Sequence, residues 1–181
     1  MGESNGGEGV SSPPKKKGTI TDVTDEYLRN AKPGVGNIEN QFKTNANSSR
    51  KELNAEKDHK DEIETADWIK KKFGGDIVII NENLKDRNDV VKYSANYNRD
   101  GKLWDLKTPE GKNGIDRGLR HGSEQIERNT GGVIIDISNS ILGKSNTMEE
   151  IMFRIPKRGR TDFDVIIKDK DELVKILRYK K

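Results

Sequence analysis

The sequence predicts an α/β fold, a mixed central sheet flanked by helices, with a flexible N-terminal tail. Three observations predict it. Two short β-branched runs, Asp76–Asn81 (DIVIIN) and Gly132–Ile137 (GVIIDI), are apolar on successive residues, as strands covered on both faces are. Segments of helical period stand beside them at Ser48–Phe73 and Ile115–Arg128. Between Val90–Asn98 and Lys102–Lys107 lies Asp100-Gly101, a dipeptide favoured in two-residue hairpin turns, which adds an antiparallel pair.

Along the chain, residues 1–60 hold 13 hydrophobic residues and residues 61–181 hold 41, so the first third cannot build a core of its own. Residues 1–18 are Gly, Ser, Pro and Lys with two apolar residues, a disordered linker by composition. Residues 19–47 carry scattered apolar residues around the breaker Lys32-Pro-Gly-Val-Gly36 and read as a lead-in that connects to or docks on the domain of residues 48–181. Within that domain the first helix is capped at Ser48 or Ser49 and stopped by Gly74-Gly75, with Ala55, Glu62, Ala66, Ile69 and Phe73 on one narrow arc. The hairpin follows, then a helix with Ile115, Leu119 and Ile126 on its apolar side, and the strand at 132–137. Met148–Met152 reads as a helical turn, Asp162–Ile167 as a strand and Asp171–Tyr179 as a last helix. The order is α-β-β-β-α-β with an αβα-like extension.

The 181 residues suffice for one ordinary domain and contain no cysteine, which excludes disulfides, thiol nucleophiles and Cys-ligated metals and leaves carboxylate, histidine or serine chemistry. No apolar run is long enough to span a membrane, and the N-terminus lacks the apolar core of a signal peptide. The initiating Met suggests a self-standing or re-started chain. A net charge of +3 permits nucleic acid as a partner without demanding it. Residues 151–181 are more basic, with ten basic and five acidic residues, including Lys157, Arg158 and Arg160 as a plausible phosphate-binding loop.

The chemistry concentrates in two places. Glu62 falls in the middle of its helix's apolar arc, so its carboxylate meets either a buried partner or a cavity. In the hairpin, a two-residue turn pairs 99 with 102, 98 with 103, 97 with 104 and 96 with 105. Asn96, Asp105 and Lys107 then share one face, while Tyr97, Trp104 and Leu106 take the apolar one. Clustered carboxylates can hold Mg²⁺ or Mn²⁺ and a nearby lysine can place a water, although an Asp-x-Lys alternation also occurs on solvated strands. Arg117, Arg120 and Arg128 share a helix flank that could grip phosphates or simply be solvated. His121 and His59 are weaker candidates for proton transfer, and Trp68 and Trp104 are expected in the core.

The ordered set Glu62-Ile-Glu-Thr-Ala66, Gly74-Gly-Asp-Ile-Val78, Ala95-Asn-Tyr97, Lys102-Leu-Trp-Asp-Leu-Lys107 and Gln125 ahead of Gly132-Val-Ile-Ile-Asp136 resembles the PD-(D/E)xK nuclease superfamily. Within it, the chain is similar to the CdiA-type C-terminal tRNA-nuclease toxin domains of contact-dependent growth inhibition proteins and their phage and mobile-element counterparts. The resemblance covers roughly residues 50–140. It implies a metal-dependent endoribonuclease toxin that cleaves tRNA, uses Mg²⁺ or Mn²⁺ and is checked by a cognate immunity protein. It also implies a secreted or delivered effector that acts in a target cell's cytoplasm; otherwise the chain is cytoplasmic. By the same resemblance Glu62, Asp105 and the residue at 96 hold the metal, Lys107 assists the water, and Gln125 orients Lys107 or a phosphate. Position 96 departs from the family: its Asp is here Asn96, which removes a charge and a good ligand oxygen and marks an inactivated site, by natural loss or by substitution. The competing readings are a DNA endonuclease of the same superfamily and a catalytically inactive nucleic-acid-binding or phage structural protein.

Overall fold

The structure, a computed structural model, describes residues 18–84, 95–127 and 129–181. The predicted linker, apart from Gly18, the first part of the predicted strand at 90–98, and Arg128 lie outside the described residues.

The lead-in supplies β1 (Thr19–Asp22), α1 (Thr24–Asn30) and β2 (Ile38–Asn40). Then come α2 (Arg50–Asp58), α3 (Lys60–Phe73), β3 (Ile77–Ile79), a 3₁₀ turn (Glu82–Leu84), β4 (Tyr97–Arg99), β5 (Lys102–Lys107), α4 (Lys112–Gln125), β6 (Thr130–Asp136), α5 (Lys144–Arg158), β7 (Phe163–Asp169) and β8 (Glu172–Lys180). The strands form one mixed sheet in the order β1-β8-β7-β6-β5-β4-β3-β2. The inner run β5-β6-β7 is parallel, and the lead-in occupies both outer positions, β1 antiparallel to β8 and β2 parallel to β3.

Helices cover both faces of β6, which is why GVIIDI is apolar on successive residues. In β3 the expectation holds for one face only: Ile77 and Ile79 are buried under α3, while Val78 is partly buried and lines a cavity with Ile80, Leu84 and Leu103. In β6, Val133 and Ile135 pack under α4 and α5 with Ile115, Leu119, Ile151 and Ile155. Ile134 points the other way, into the layer of Ala66, Trp68, Ile69 and Phe73 from α3. The breaker at Lys32–Gly36 docks on the end of α3: Lys32 N–H donates to Phe73 O and Gly75 N–H to Val35 O. There the backbones touch, since a Cβ on Gly36 would lie 2.0 Å from Gly75 O, and Gly36 sits at φ +112°.

Three expectations need correcting. The helix predicted over Ser48–Phe73 is two helices, broken at His59, whose φ of −105° and ψ of 21° are not helical. Ser49 caps the first through a capping box with Glu52. The turn at Met148–Met152 is part of a 15-residue helix that runs through Pro156. The helix predicted at Asp171–Tyr179 is strand β8, and a turn with Lys170 at φ +52° leads into it.

Candidate active site

The hairpin sets the geometry. Asp100 (φ +50°) and Gly101 (φ +85°) are both left-handed, as a two-residue I′ turn requires, and the pairs are Arg99 with Lys102, Asn98 with Leu103 and Tyr97 with Trp104. Tyr97, Trp104 and Leu106 accordingly join the α3 side of the core, and Asp105 and Lys107 face α4. That helix can lie over them because it presents glycine: a Cβ on Gly118 would stand 3.3 Å from Lys107 Cγ, and one on Gly122 would stand 2.9 Å from Val133 and 3.7 Å from Asp105 Oδ2.

Asn96 lies just beyond the paired residues and closes the hairpin end with its side chain. Its Oδ1 accepts the Leu106 N–H at 2.7 Å, while its own backbone N–H donates to the Asp105 carboxylate. Asp105 is 1% exposed. Its Oδ2 accepts no aligned hydrogen bond, although Lys107 Nζ stands 2.8 Å away as an ion-pair partner. Lys107 Nζ also donates to Gln125 Oε1 at 3.1 Å, so the ammonium is held between strand and helix.

Glu62 is half-buried in the first turn of α3, where its carbonyl accepts from Tyr97 Oη at 2.6 Å. Burial pushes its carboxyl up to about 6; His59 opposes the rise, and the charges of Asp105 and Glu82 add to it. Asp105 is likewise pushed up to about 6, chiefly by burial, against the pull of Lys107 and the Asn96 N–H and with the charge of Glu82 again adding. Glu82, in the 3₁₀ turn after β3, is thus the acidic neighbour that the sequence reading missed. Its only sequence signal was its place just past a buried strand.

The structure therefore brings Asn96, Asp105, Lys107 and Gln125 into contact, and Glu62 on α3 stands near enough for its carboxyl to feel the charges of Asp105 and Lys107. Among the described residues, no three Asp, Glu, His or Cys side chains form a group able to hold a metal ion. Two carboxylates are nonetheless a sufficient protein contribution for Mg²⁺, which keeps several waters and takes substrate oxygens. The buried Asp105 Oδ2 and the raised proton affinity of both carboxyls fit such an ion.

Beside Lys107 opens a groove of 760 Å³ lined by Thr108, Lys112, Arg117 and His121. It starts at the N-terminus of α4, where Gly111 supplies no side-chain cap and the first turn has no acidic residue. Arg117 is exposed on this groove. Arg120 turns along the helix toward His121, 3.5 Å away. The last three basic candidates are engaged at the end of α5: Arg158 pairs with Asp116 at 2.8 Å, Arg160 with Glu124 at 2.7 Å, and Lys157 lies over the Phe153 ring. His59 stacks on Phe42 and contacts Ala55 O through Nδ1.

Fold and site together define a mixed α/β domain with a carboxylate–lysine centre at one end of its parallel strands. No family model matches the sequence, and no curated protein matches it. Among solved structures, the chain is similar to a chain of the CdiA-CT/CdiI toxin and immunity complex from Burkholderia pseudomallei. The sequences are 16% identical, the TM-score is 0.46, and the match covers 76% of this chain and 96% of that one. Among the described residues, no helix is long and apolar enough to cross a membrane.

Proposed function

We propose that this chain is a metal-dependent phosphodiesterase of the PD-(D/E)xK type, a tRNA-cleaving toxin domain whose centre is weakened at position 96. The observation that carries this reading is the Asp105–Lys107–Gln125 arrangement: a buried carboxylate of raised pKa, paired at 2.8 Å with a lysine that a helix glutamine holds from the far side. Carboxyls of raised pKa in a cleft mark a functional-site candidate, and here they stand beside an open basic groove.

In this reading Asp105 and Glu62 hold Mg²⁺ or Mn²⁺. The bound ion supplies charge neutralisation at the phosphodiester and a more acidic water. Lys107 presents its ammonium to a phosphate oxygen or to the attacking water, and Gln125 fixes its direction. The groove of Lys112, Arg117 and His121 takes the flanking phosphates by charge. Asn96 keeps the hairpin closed through the Leu106 N–H but adds no charge to the site. As a toxin the domain is delivered into a target cell's cytoplasm and is neutralised by an immunity protein.

The test is incubation of Asn96→Asp protein with total tRNA and Mg²⁺, beside duplex DNA and single strands, with Lys107→Ala as control. Cleavage of tRNA that disappears with Lys107→Ala is the expected result. Cleavage of DNA alone moves the assignment to a DNA endonuclease, and intact substrates throughout overturn the catalytic reading. The amide at position 96 favours one further reading, a binding module that retains the nuclease fold; tRNA bound by the Asn96→Asp protein without turnover would identify it.

A further inference from the structure

A second cavity, of 330 Å³, lies on the other side of Thr108 from the basic groove. It sits where the parallel strands β5, β6 and β7 end, the edge at which open α/β sheets gather ligands, and α3 walls its far side. Its chemistry is opposite to that of the groove. The carboxylates of Asp61, Glu64, Asp136 and Asp171 line it against the ammoniums of Lys168 and Lys170, an acidic excess that repels a phosphate backbone. It is also a built site. Lys168 is 4% exposed and lines the cavity, and its Nζ lies 3.5 Å from Asp136 Oδ2 and 4.8 Å over the Trp68 ring, two contacts for an ammonium with three donors. Asp136 is fixed in turn: its Oδ1 accepts the N–H groups of Ser138 at 3.0 Å and Lys170 at 3.3 Å. Asp61, on the rim, forms no ion pair among the described residues and remains an acceptor.

A neutral heterocycle with donors on one edge and acceptors on another meets both signs of this lining at once, which a bare anion or cation does not. We propose that the cavity is a base-recognition pocket, taking a guanine next to the phosphodiester held at Lys107. Guanine offers O6 and N7 to the Lys168 ammonium and N1–H and the 2-amino group to a carboxylate such as Asp61; uracil has no exocyclic amino group to offer. Thr108 is the shared wall, so the sugar–phosphate stays in the basic groove while the base turns into the acidic cavity. The substrate class comes from the nuclease reading above; the pocket's selectivity is the new claim.

The test uses the full chain as it stands, with Asn96, titrated with 5′-GMP, 5′-UMP and inorganic phosphate while backbone amide resonances are followed. GMP should move the Ser138 and Asn139 amides and saturate at a concentration about tenfold or more below that for UMP; phosphate should move only amides around Lys112. Lys168→Met, which preserves length and the Trp68 contact, should abolish the preference. Asn139→Ala, on the cavity wall, is the milder variant and should weaken it. Equal responses to GMP and UMP, or shifts confined to the groove, overturn the pocket. An active Asn96→Asp nuclease with no such selectivity removes the pocket and leaves the nuclease; selective GMP binding with an inert Asn96→Asp protein does the reverse.

Discussion

Replacing Asp105 with asparagine should change how folding stability depends on pH. In the native chain burial raises the Asp105 carboxyl from an ordinary 3.8 to about 6, and Lys107 only partly opposes this. The folded state therefore holds the proton more tightly than the unfolded chain. Stability from this group is fully present below pH ~4 and is lost as pH rises through about 6. The displacement of roughly two pH units corresponds to about 3 kcal/mol. Asparagine does not titrate, so the stability of Asp105→Asn minus that of the parent should rise by about 3 kcal/mol between pH 3.5 and 7.5. Any fixed cost of the amide, including its contact with Lys107, cancels in that difference. Loss of the Asp105 charge also relieves Glu62, which adds to the trend. The assay is urea unfolding in chelator at constant ionic strength, read by the fluorescence of buried Trp68 and Trp104. A difference that stays flat, or falls with pH, would mean that the Lys107 pair outweighs burial, and the account of this site would be wrong.

Further outcomes follow from other contacts. Mg²⁺ should stabilise the protein at pH 7.5, by about 1.4 kcal/mol at ten times its dissociation constant, and have little effect at pH 4.5, where both carboxyls are protonated; thermal melts at the two pH values check this. Gln125→Ala in the Asn96→Asp background should lower kcat by about tenfold with KM little changed, because Lys107 loses its helix-side anchor. Gly132→Ala should fail to give soluble protein, since its Cβ would lie 2.1 Å from the Asp164 carbonyl oxygen and force β6 and β7 apart, at a cost of several kcal/mol. Tyr27→Phe deletes the hydroxyl that donates to Asp164 Oδ2 and should cost about 1–2 kcal/mol in denaturant unfolding.

The parts of the fold that sequence reading captured are those fixed by local chemistry. Asp100-Gly101 dictates its turn, the turn dictates the register, and the register places Asp105 and Lys107 on one face. The N-cap, expected at Ser48 or Ser49 and found at Ser49, and the Gly74 stop are equally local. What was missed depends on distant partners. β8 lies in a sheet covered on both faces, so Ile176 packs on one side and Leu177 on the other. The resulting run of apolar residues at 173, 174, 176 and 177 carries no alternation and matches a helical stripe instead. The turn expected at Met148–Met152 falls short of α5, which runs on through Pro156 because a proline in the last turn forfeits only one hydrogen bond. β1 and β2, four and three residues long, become strands only against β8 and β3.

The clasp formed by the lead-in also sets how the domain responds to force. Thr19 pairs with Lys180 and Asp22 with Leu177, so the start of the first strand lies beside the end of the last one. A pull applied across those two ends loads the ladder one rung at a time, like a zip, instead of shearing all rungs together. The edge strand should detach at low load, followed by α1 and its Tyr27 anchor, before the parallel centre of the sheet bears any tension. A chain whose core is closed over by helices can thus still be threaded from its N-terminal side by a modest mechanical pull.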